Sequence, residues 1–295
     1  MKRQNLVIYE KPKLAKPYLI MGFEGWPDAG RVSSGVVSYL KEKLRATKLA
    51  EVKPDEFYVF QSPGTELKRP VTEIENGLVK ALSEPATTFW FYRGEKSAHD
   101  LIILLGREPE LKWHEYIDLL LSAAHDYGVE QVYTIGGTYD VVPHTIEPII
   151  GAVVSTPGLG AEVVKYGVQL INYRGPSSIH TAFLIAAREQ VIKLISLWGY
   201  VPHYVQVPNS KVCYALLSRL TRMLGLEVNL EDMGRESLRL DEMVDKAVAQ
   251  KTELVDYVRR LEAEYGKGKS ETGEPLKEDI IKEIEDFLRR RGGEE

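Results

Sequence analysis

A single cysteine, Cys213, in 295 residues excludes an intrachain disulfide and a four-cysteine zinc site. Its setting, KVCYALLSRL, has the apolar spacing of a helix. The thiol is therefore expected in the core as a small apolar group, with a reactive thiol as the alternative. Basic excess is missing as well. The net charge is −5 and the isoelectric point about 5.8, so the chain as a whole offers no electrostatic footprint for nucleic acid or an anionic membrane. No run approaches the ~20 apolar residues of a membrane span. The first residues, MKRQNLVIYEKPKL, are basic but hold no apolar stretch of signal-peptide length, and a cytoplasmic setting is expected.

What is present is ordinary globular material, 44% hydrophobic and 27% charged, enough for one large α/β domain with an appendage. Residues 5–10 and 18–21 read as strands, and a helix over 30–45 places Val32, Val36, Val37, Leu40 and Leu44 on one face. EFYVF (56–60) reads as a further strand, and 61–98 as β-hairpin with a turn at Asn76-Gly77. Beyond residue 100 the pattern becomes regular: strand 101–105, helix 113–127, strand 131–135, a long loop 136–148, helix 179–188, strand 192–198 and helix 210–224. GAVVST and GVQLINY lie between that loop and the helix at 179. Strands alternating with helices predict a largely parallel sheet covered on both faces, an α/β layered core over residues 1–227. Residues 228–295 form a C-terminal helical extension. There Leu240, Val244, Ala247, Lys251, Leu254, Val258, Leu261 and Tyr265 make a heptad-like stripe, and Ile280 to Leu288 a short amphipathic helix after the linker GKGKSETGEP. The stripe is short enough to pack back on the core or on a neighbouring subunit.

Five apolar strands run into glycine-bearing loops: GFEGWPDAG, LLGREPE, TIGGTYDVVPHT, NYRGPSSIH and SLWGYVPHY. In an open parallel sheet such loops gather at the carboxyl edge, where these folds place ligands. They bring Glu24, Asp28, Arg107, Glu108, His144, Arg174, Ser177, Ser178, His180 and His203 to one edge. Gly25 and Gly30 have P-loop spacing, but Arg31 and Val32 stand where Lys and Ser/Thr are needed, which argues against a nucleotide loop. Asp28 is placed either to cap the helix that follows or to act chemically, whereas Glu24 has no capping duty and is expected to face a pocket. The two VPH triplets could offer two imidazoles to zinc or iron. Their separation supplies no ligand spacing, so hydrogen bonding of His144 and His203 to backbone or neighbours is the expected role, with no metal and no cofactor. GPSSIH opens a helix, and Ser177 and Ser178 either cap it or join its free amides in an anion site. A triad of Ser178, His180 and Asp140 can be drawn, but no G-x-S-x-G elbow supports it.

In their order and spacing, GFEGWPDAG, LLGREPELKW, VPHT, YRGPSSIHTAFLIAARE and SLWGYVPHYVQVPNSKVCYALLSRLTRMLG resemble the PAC2 family, named for the second eukaryotic proteasome-assembly chaperone. The resemblance spans roughly residues 18–225, and YVRRLEAEYG in the tail looks like the extension of bacterial members. It implies a three-layer α/β/α sandwich similar to the purine nucleoside phosphorylase and hydrolase-like fold. It also implies self-association or pairing with a related PAC2 subunit, and a role in chaperoning proteasome α-subunits. Some chaperone members end in a hydrophobic-Tyr-any tripeptide; the last residues here are RRRGGEE. Two functions follow. One is a non-catalytic assembly or interaction protein, with aromatic anchors such as Trp113, Tyr116 or Tyr265. The other is a small-molecule enzyme of the nucleoside hydrolase or phosphorylase kind, with Glu24 on a ribose-like hydroxyl, Arg107 on an anion and His144 or His203 as acid.

Overall fold

Alternate residues of the central strands feed two different cores. The computed structural model describes residues 5–54, 56–60, 70–94, 97–265 and 278–292. Its strands are β1 Leu6–Ile8, β2 Tyr18–Glu24, β3 Thr47–Val52, β4 Val71–Glu75, β5 Leu78–Ser83, β6 Thr87–Tyr92, β7 Leu101–Arg107, β8 Gln131–Asp140, β9 Ile150–Val154, β10 Gln169–Leu170 and β11 Leu194–Pro202. Its helices are α1 Val32–Lys43, α2 Trp113–Asp126, α3 Pro157–Val164, α4 Ile179–Glu189, α5 Ser210–Met223, α6 Glu231–Val248, α7 Thr252–Tyr265 and α8 Glu278–Gly292. Nine strands form one sheet in the order β1-β3-β6-β7-β2-β8-β11-β9-β10, and β4 and β5 pair separately. In the large sheet, Ile20, Ile103, Tyr133, Ile135, Ile195 and Leu197 pack with α1, α3 and α5. Leu19, Met21, Phe23, Ile102, Leu104, Val132 and Leu194 pack with α2 and α4. Period-two strands between period-3.6 helices thus bury both faces of the sheet.

Parallel pairing covers the middle of the sheet and the short β9–β10 pair at one edge. β7, β2, β8 and β11 run together, while β6 joins β7, and β9 joins β11, antiparallel. The expected largely parallel sheet is therefore a mixed one: β6 turns directly into β7 at one flank, and at the other the chain crosses from β8 past the position of β11 and runs back as β9. Helices α1, α2, α4 and α5 fall within about two residues of the sequence expectation. EFYVF is no strand: Phe57 donates its amide to the Pro54 carbonyl at 3.0 Å in a turn, and Phe57 and Tyr58 are buried beside the α2 residue Tyr116. Tyr116 is fully buried, which removes it as an interface anchor.

α1 lies unusually close to the sheet. A Cβ at Gly137 would stand 2.5 Å from the Ala29 carbonyl oxygen and 2.8 Å from Val32 Cβ, so only glycine lets the strand end and the helix start meet. Ser33, fully buried on α1, donates to the Ile135 carbonyl and accepts the Phe23 amide at 2.8 Å, tying the helix to β2 and β8.

The heptad-like stripe is not one rod. α6 stops at Val248 and α7 starts at Thr252, so Lys251, the polar break in the pattern, sits in the turn and pairs with Glu283 of α8. α6, α7 and α8 share a third core with Tyr204 and Val205, which follow β11. Three aspartates of α6 take donors from the core: Asp232 from Tyr39 at 2.5 Å, Asp241 from Lys211 at 2.8 Å and Asp245 from His144 at 3.0 Å. The extension packs back on the core.

Candidate functional site

GFEGWPDAG is a joint built from backbone hydrogen bonds. Glu24 ends β2 opposite Arg107 at the end of β7, and the Glu24 carbonyl accepts the Glu108 amide at 2.8 Å. Gly25 takes φ 111° there, a conformation open to glycine. The Pro27 carbonyl then accepts the Gly137 amide at 2.8 Å, pinning the loop across β8. Asp28 caps α1 from outside the helix: its carboxylate accepts the Ser34 amide at 2.9 Å and the Ser34 hydroxyl at 2.6 Å. Arg31, at the N-cap position with φ 50°, supplies no capping bond. Burial pushes the Asp28 carboxyl up to about 6, against the pull of the Ser34 hydrogen bonds and with a smaller push from the Glu24 charge.

The start of α4 is capped by a carboxylate from another loop. Glu108 Oε1 accepts the Ile179 amide at 2.8 Å, and the Trp26 amide also donates to this carboxylate. Burial holds the Glu108 carboxyl above its usual range. Ser178, at the N-cap position, makes no capping bond. The expected capping by Ser177 or Ser178 is thus taken over by Glu108, and its negative charge at the helix end disfavours the anion reading of GPSSIH. Ser177 and Arg174 are exposed, whereas Ser178 and His180 are buried, and neither the Ser178 hydroxyl nor either His180 ring nitrogen has a hydrogen-bond partner among the described residues. His180 lies among Phe23 and Trp198 rings, and burial alone lowers its pKa to about 3.

The two VPH histidines both pack T-shaped with Tyr204, with ring centroids 5.7 Å and 5.4 Å from it. The Tyr204 hydroxyl accepts the His144 amide at 2.8 Å and bonds His144 Nδ1 at 2.8 Å. The Asp245 carboxylate can only accept, so Nε2 carries the proton and donates it at 3.0 Å, and Nδ1 of the neutral ring accepts from the Tyr204 hydroxyl. His203 bonds Tyr257 of α7 through Nε2 at 3.3 Å. Burial lowers the pKa of both imidazoles. They fasten α6 and α7 to the core. Tyr204, Lys211 and the aspartates of α6 do as much of this work as the histidines, and their only sequence signal was acidic residues recurring along one helix. Among the described residues no three His, Cys, Asp or Glu side chains converge as a metal site.

Two clefts among the described residues border Glu24 at the strand ends. One, of about 290 Å³, is lined by Glu24, Arg107, Trp90, Leu105 and the base of the β4–β5 hairpin. Arg107 there pairs with Glu110 at 3.3 Å. The other, of about 770 Å³, lies between the starts of α1 and α5 and the helices α6 and α8, with Glu24, Arg31, Ser34, Asn209, Arg239 and Arg289 on its wall. Glu24 borders both. Trp26, 53% exposed, and Tyr139, 42% exposed, stand on the same edge. No helix among the described residues is long and apolar enough to cross a membrane.

No curated protein sequence matches the chain. Among solved structures, a PAC2 family protein of Streptomyces avermitilis is 30% identical, with a TM-score of 0.73, covering 82% of this chain and 99% of its own. A proteasome-assembly chaperone homologue of Mycobacterium tuberculosis is 28% identical, with a TM-score of 0.73 and the same coverage. An archaeal proteasome activator of Pyrococcus furiosus, 23% identical with a TM-score of 0.63 over 82% of this chain and 97% of its own, shares the fold. The PAC2 family model matches residues 22–248, from the end of β2 to the last residue of α6. With that span matched and a family structure aligned along nearly its whole length, the chain belongs to the PAC2 family.

Proposed function

We propose that this chain is a non-catalytic assembly or interaction protein of the proteasome-assembly kind. It works in the cytoplasm, as a homo-oligomer or with a related PAC2 subunit, and its clients are proteasome α-subunits. The observation that carries this reading is where the polar groups of the strand-end edge spend their hydrogen bonds. Asp28 and Glu108 cap helices, Arg107 pairs with Glu110, and His144 and His203 hold the C-terminal helices. A general acid or base must reach a substrate proton, and these groups face the scaffold instead. The kinship to the Mycobacterium chaperone homologue supports the choice of client. The one thiol, buried and unpaired, suits a reducing compartment.

The contact surface we assign is the strand-end edge around Trp26 and Tyr139, with Glu24 and Arg107 beside them. Exposed aromatics next to arginine are the residue types that dominate interface energies. The test is native mass spectrometry of the purified chain mixed with α-subunits from the same source. A complex is expected, weakened about 30-fold by Trp26→Ala, as for a hot-spot residue worth ~2 kcal/mol. No complex at concentrations of tens of micromolar, or a complex indifferent to Trp26→Ala, overturns the client or the surface respectively.

A further inference from the structure

The cleft of about 770 Å³ between the starts of α1 and α5 and the helices α6 and α8 falls in the size range of small-molecule sites. Its wall divides by chemistry. Leu240 and Leu288 are buried, and Val207, Met233 and Met243 are half-buried, so the interior is aliphatic and includes two adaptable thioethers. Arg31, Arg239 and Arg289 are exposed, which sets their charge toward solvent at the mouth. They come from three separate elements: Arg31 immediately precedes α1, Arg239 lies on α6 and Arg289 on α8. Among the described residues the carboxylates on this wall are Glu24 and Glu236, so arginine outnumbers acid here in a chain whose net charge is −5.

The structural contacts of these arginines do not exhaust them. Arg31, at the N-cap position with φ 50°, supplies no capping bond. Arg289 pairs with Glu285 one turn back on its own helix at 2.5 Å, and Arg239 holds an interaction of its own. A guanidinium has five N–H donors, so one such contact leaves others for a ligand. Arginine grips a carboxylate in a two-pronged geometry, and aliphatic surface behind it favours a hydrocarbon chain. A cation would meet like charge at the mouth, and a sugar would set its hydroxyls against Leu and Met side chains without partners. We propose that this cleft binds an anionic amphiphile, an acyl chain whose carboxylate is held by Arg31, Arg239 and Arg289 and whose hydrocarbon covers Leu240, Met243 and Leu288. Leu288 and Arg289 lie beyond residues 22–248, the span of the family model, so this chain's own extension completes the site. Binding there makes and breaks no covalent bond and is independent of α-subunit binding at Trp26.

Calorimetric titration of the full chain with decanoate, kept below its micelle concentration, tests it. Acetate and decyltrimethylammonium are the comparisons, the first lacking the chain and the second carrying the opposite charge. Decanoate is expected to bind with one-to-one stoichiometry, and each comparison at least about tenfold more weakly. The double variant Arg31→Gln, Arg239→Gln changes exposed side chains and keeps the fold, which circular dichroism checks. It is expected to weaken decanoate about 30-fold through lost charge-assisted hydrogen bonds. A second variant, Met243→Trp, leaves the arginines in place and narrows the interior, and is expected to weaken decanoate at least about tenfold. Decyltrimethylammonium binding as tightly as decanoate overturns the anionic head. Decanoate binding that survives both variants overturns the cleft as its place, and no binding at about 1 mM overturns the acyl ligand itself.

Discussion

His180 should make this protein acid-sensitive by an amount that depends little on fine detail. It is fully buried on α4 between Phe23 and Trp198, 5.8 Å and 4.9 Å away by ring centroids, with no hydrogen-bond partner among the described residues. Its pKa falls from 6.5 to about 3, for the one reason of burial. A histidine whose folded pKa is depressed stays neutral in the native state while the unfolded chain takes up the proton. Stability is therefore full above about pH 6.5 and is lost as pH falls. By about pH 5 the unfolded imidazole is nearly all protonated and the folded one hardly at all, which costs about 2 kcal/mol. Any folded pKa well below 5 gives nearly the same figure. His144 and His203 shift in the same direction, so the wild-type curve alone does not isolate the effect. The comparison is with His180→Leu, similar in volume and helix-compatible, followed by urea unfolding between about pH 7.5 and pH 5. The wild type should lose about 2 kcal/mol relative to the variant across that range. At the upper end the variant should be level or slightly more stable, since it removes two buried nitrogens without partners. Parallel curves would refute the argument and mean that His180 finds water or a carboxylate when charged.

Asp28 should act in the opposite sense. Its folded pKa of about 6 lies above the ordinary 3.8, so its contribution is present in acid and lost as pH rises through 6. Wild type should fall relative to Asp28→Asn by up to about 3 kcal/mol between about pH 4 and pH 7, and a flat difference in urea unfolding counts against a buried carboxyl. Tyr204→Phe should cost about 3 kcal/mol, because it leaves the buried His144 amide and Nδ1 without their shared partner. Faster amide exchange through α6 should accompany it, and undiminished protection there would show that apolar contact alone holds the helix. Gly137→Ala should destabilise by more than about 2 kcal/mol, since its Cβ meets backbone and a helix-start side chain that cannot give way. Gly158→Ala in α3, where nothing lies within 4 Å, should gain several tenths of a kcal/mol in the same denaturation assay.

The elements legible in the sequence were those whose own periodicity specifies them. α1, α2, α4 and α5 carry apolar residues at three- and four-residue spacing, and Asn76-Gly77 can hardly be other than a hairpin turn. β3 went unread because TKLAEV spends half its residues on charge and polarity near the sheet's edge. α3 went unread because PGLGAEVV carries two glycines, and burial of Leu159 and Val163 outweighs their low propensity. EFYVF misled for the converse reason: burial came from filling space beside Tyr116, not from strand pairing. That the loops after β2, β7, β8 and β11 share an edge was legible from topology, whereas NYRGPSSIH leaves β10, which runs with β9 in the opposite direction, and reaches that edge only where Ile179 meets Glu108. What each polar group bonds was not, because Asp245 lies 101 positions from His144 and Glu108 lies 71 from Ile179. Nothing local encodes a partner at that distance.

The strand ends of this fold are where an α/β enzyme would expose its reacting groups. Here the same positions carry the hydrogen bonds that seat two C-terminal helices, α6 and α7, and cap two core ones. That use has a physical consequence for binding. A carboxylate already accepting two amide or hydroxyl protons, or an imidazole bonded at both nitrogens, gains little from a ligand and loses what it already makes. The exposed apolar and aromatic surface includes Trp26 and Tyr139 at the strand-end edge, and Val71, Ile74, Leu78, Val79 and Leu82 on the hairpin. Covering such side chains with another protein is favoured by roughly 25 cal/mol per Å² of apolar area, before the costs of association are met. The two patches lie on different elements, one on loops held by the rigid sheet and one on a hairpin outside it. If the strand-end patch alone serves a client, charges placed at Ile74 and Val79 should leave α-subunit binding at Trp26 within about twofold. A loss of that binding would mean that the two patches form one continuous interface.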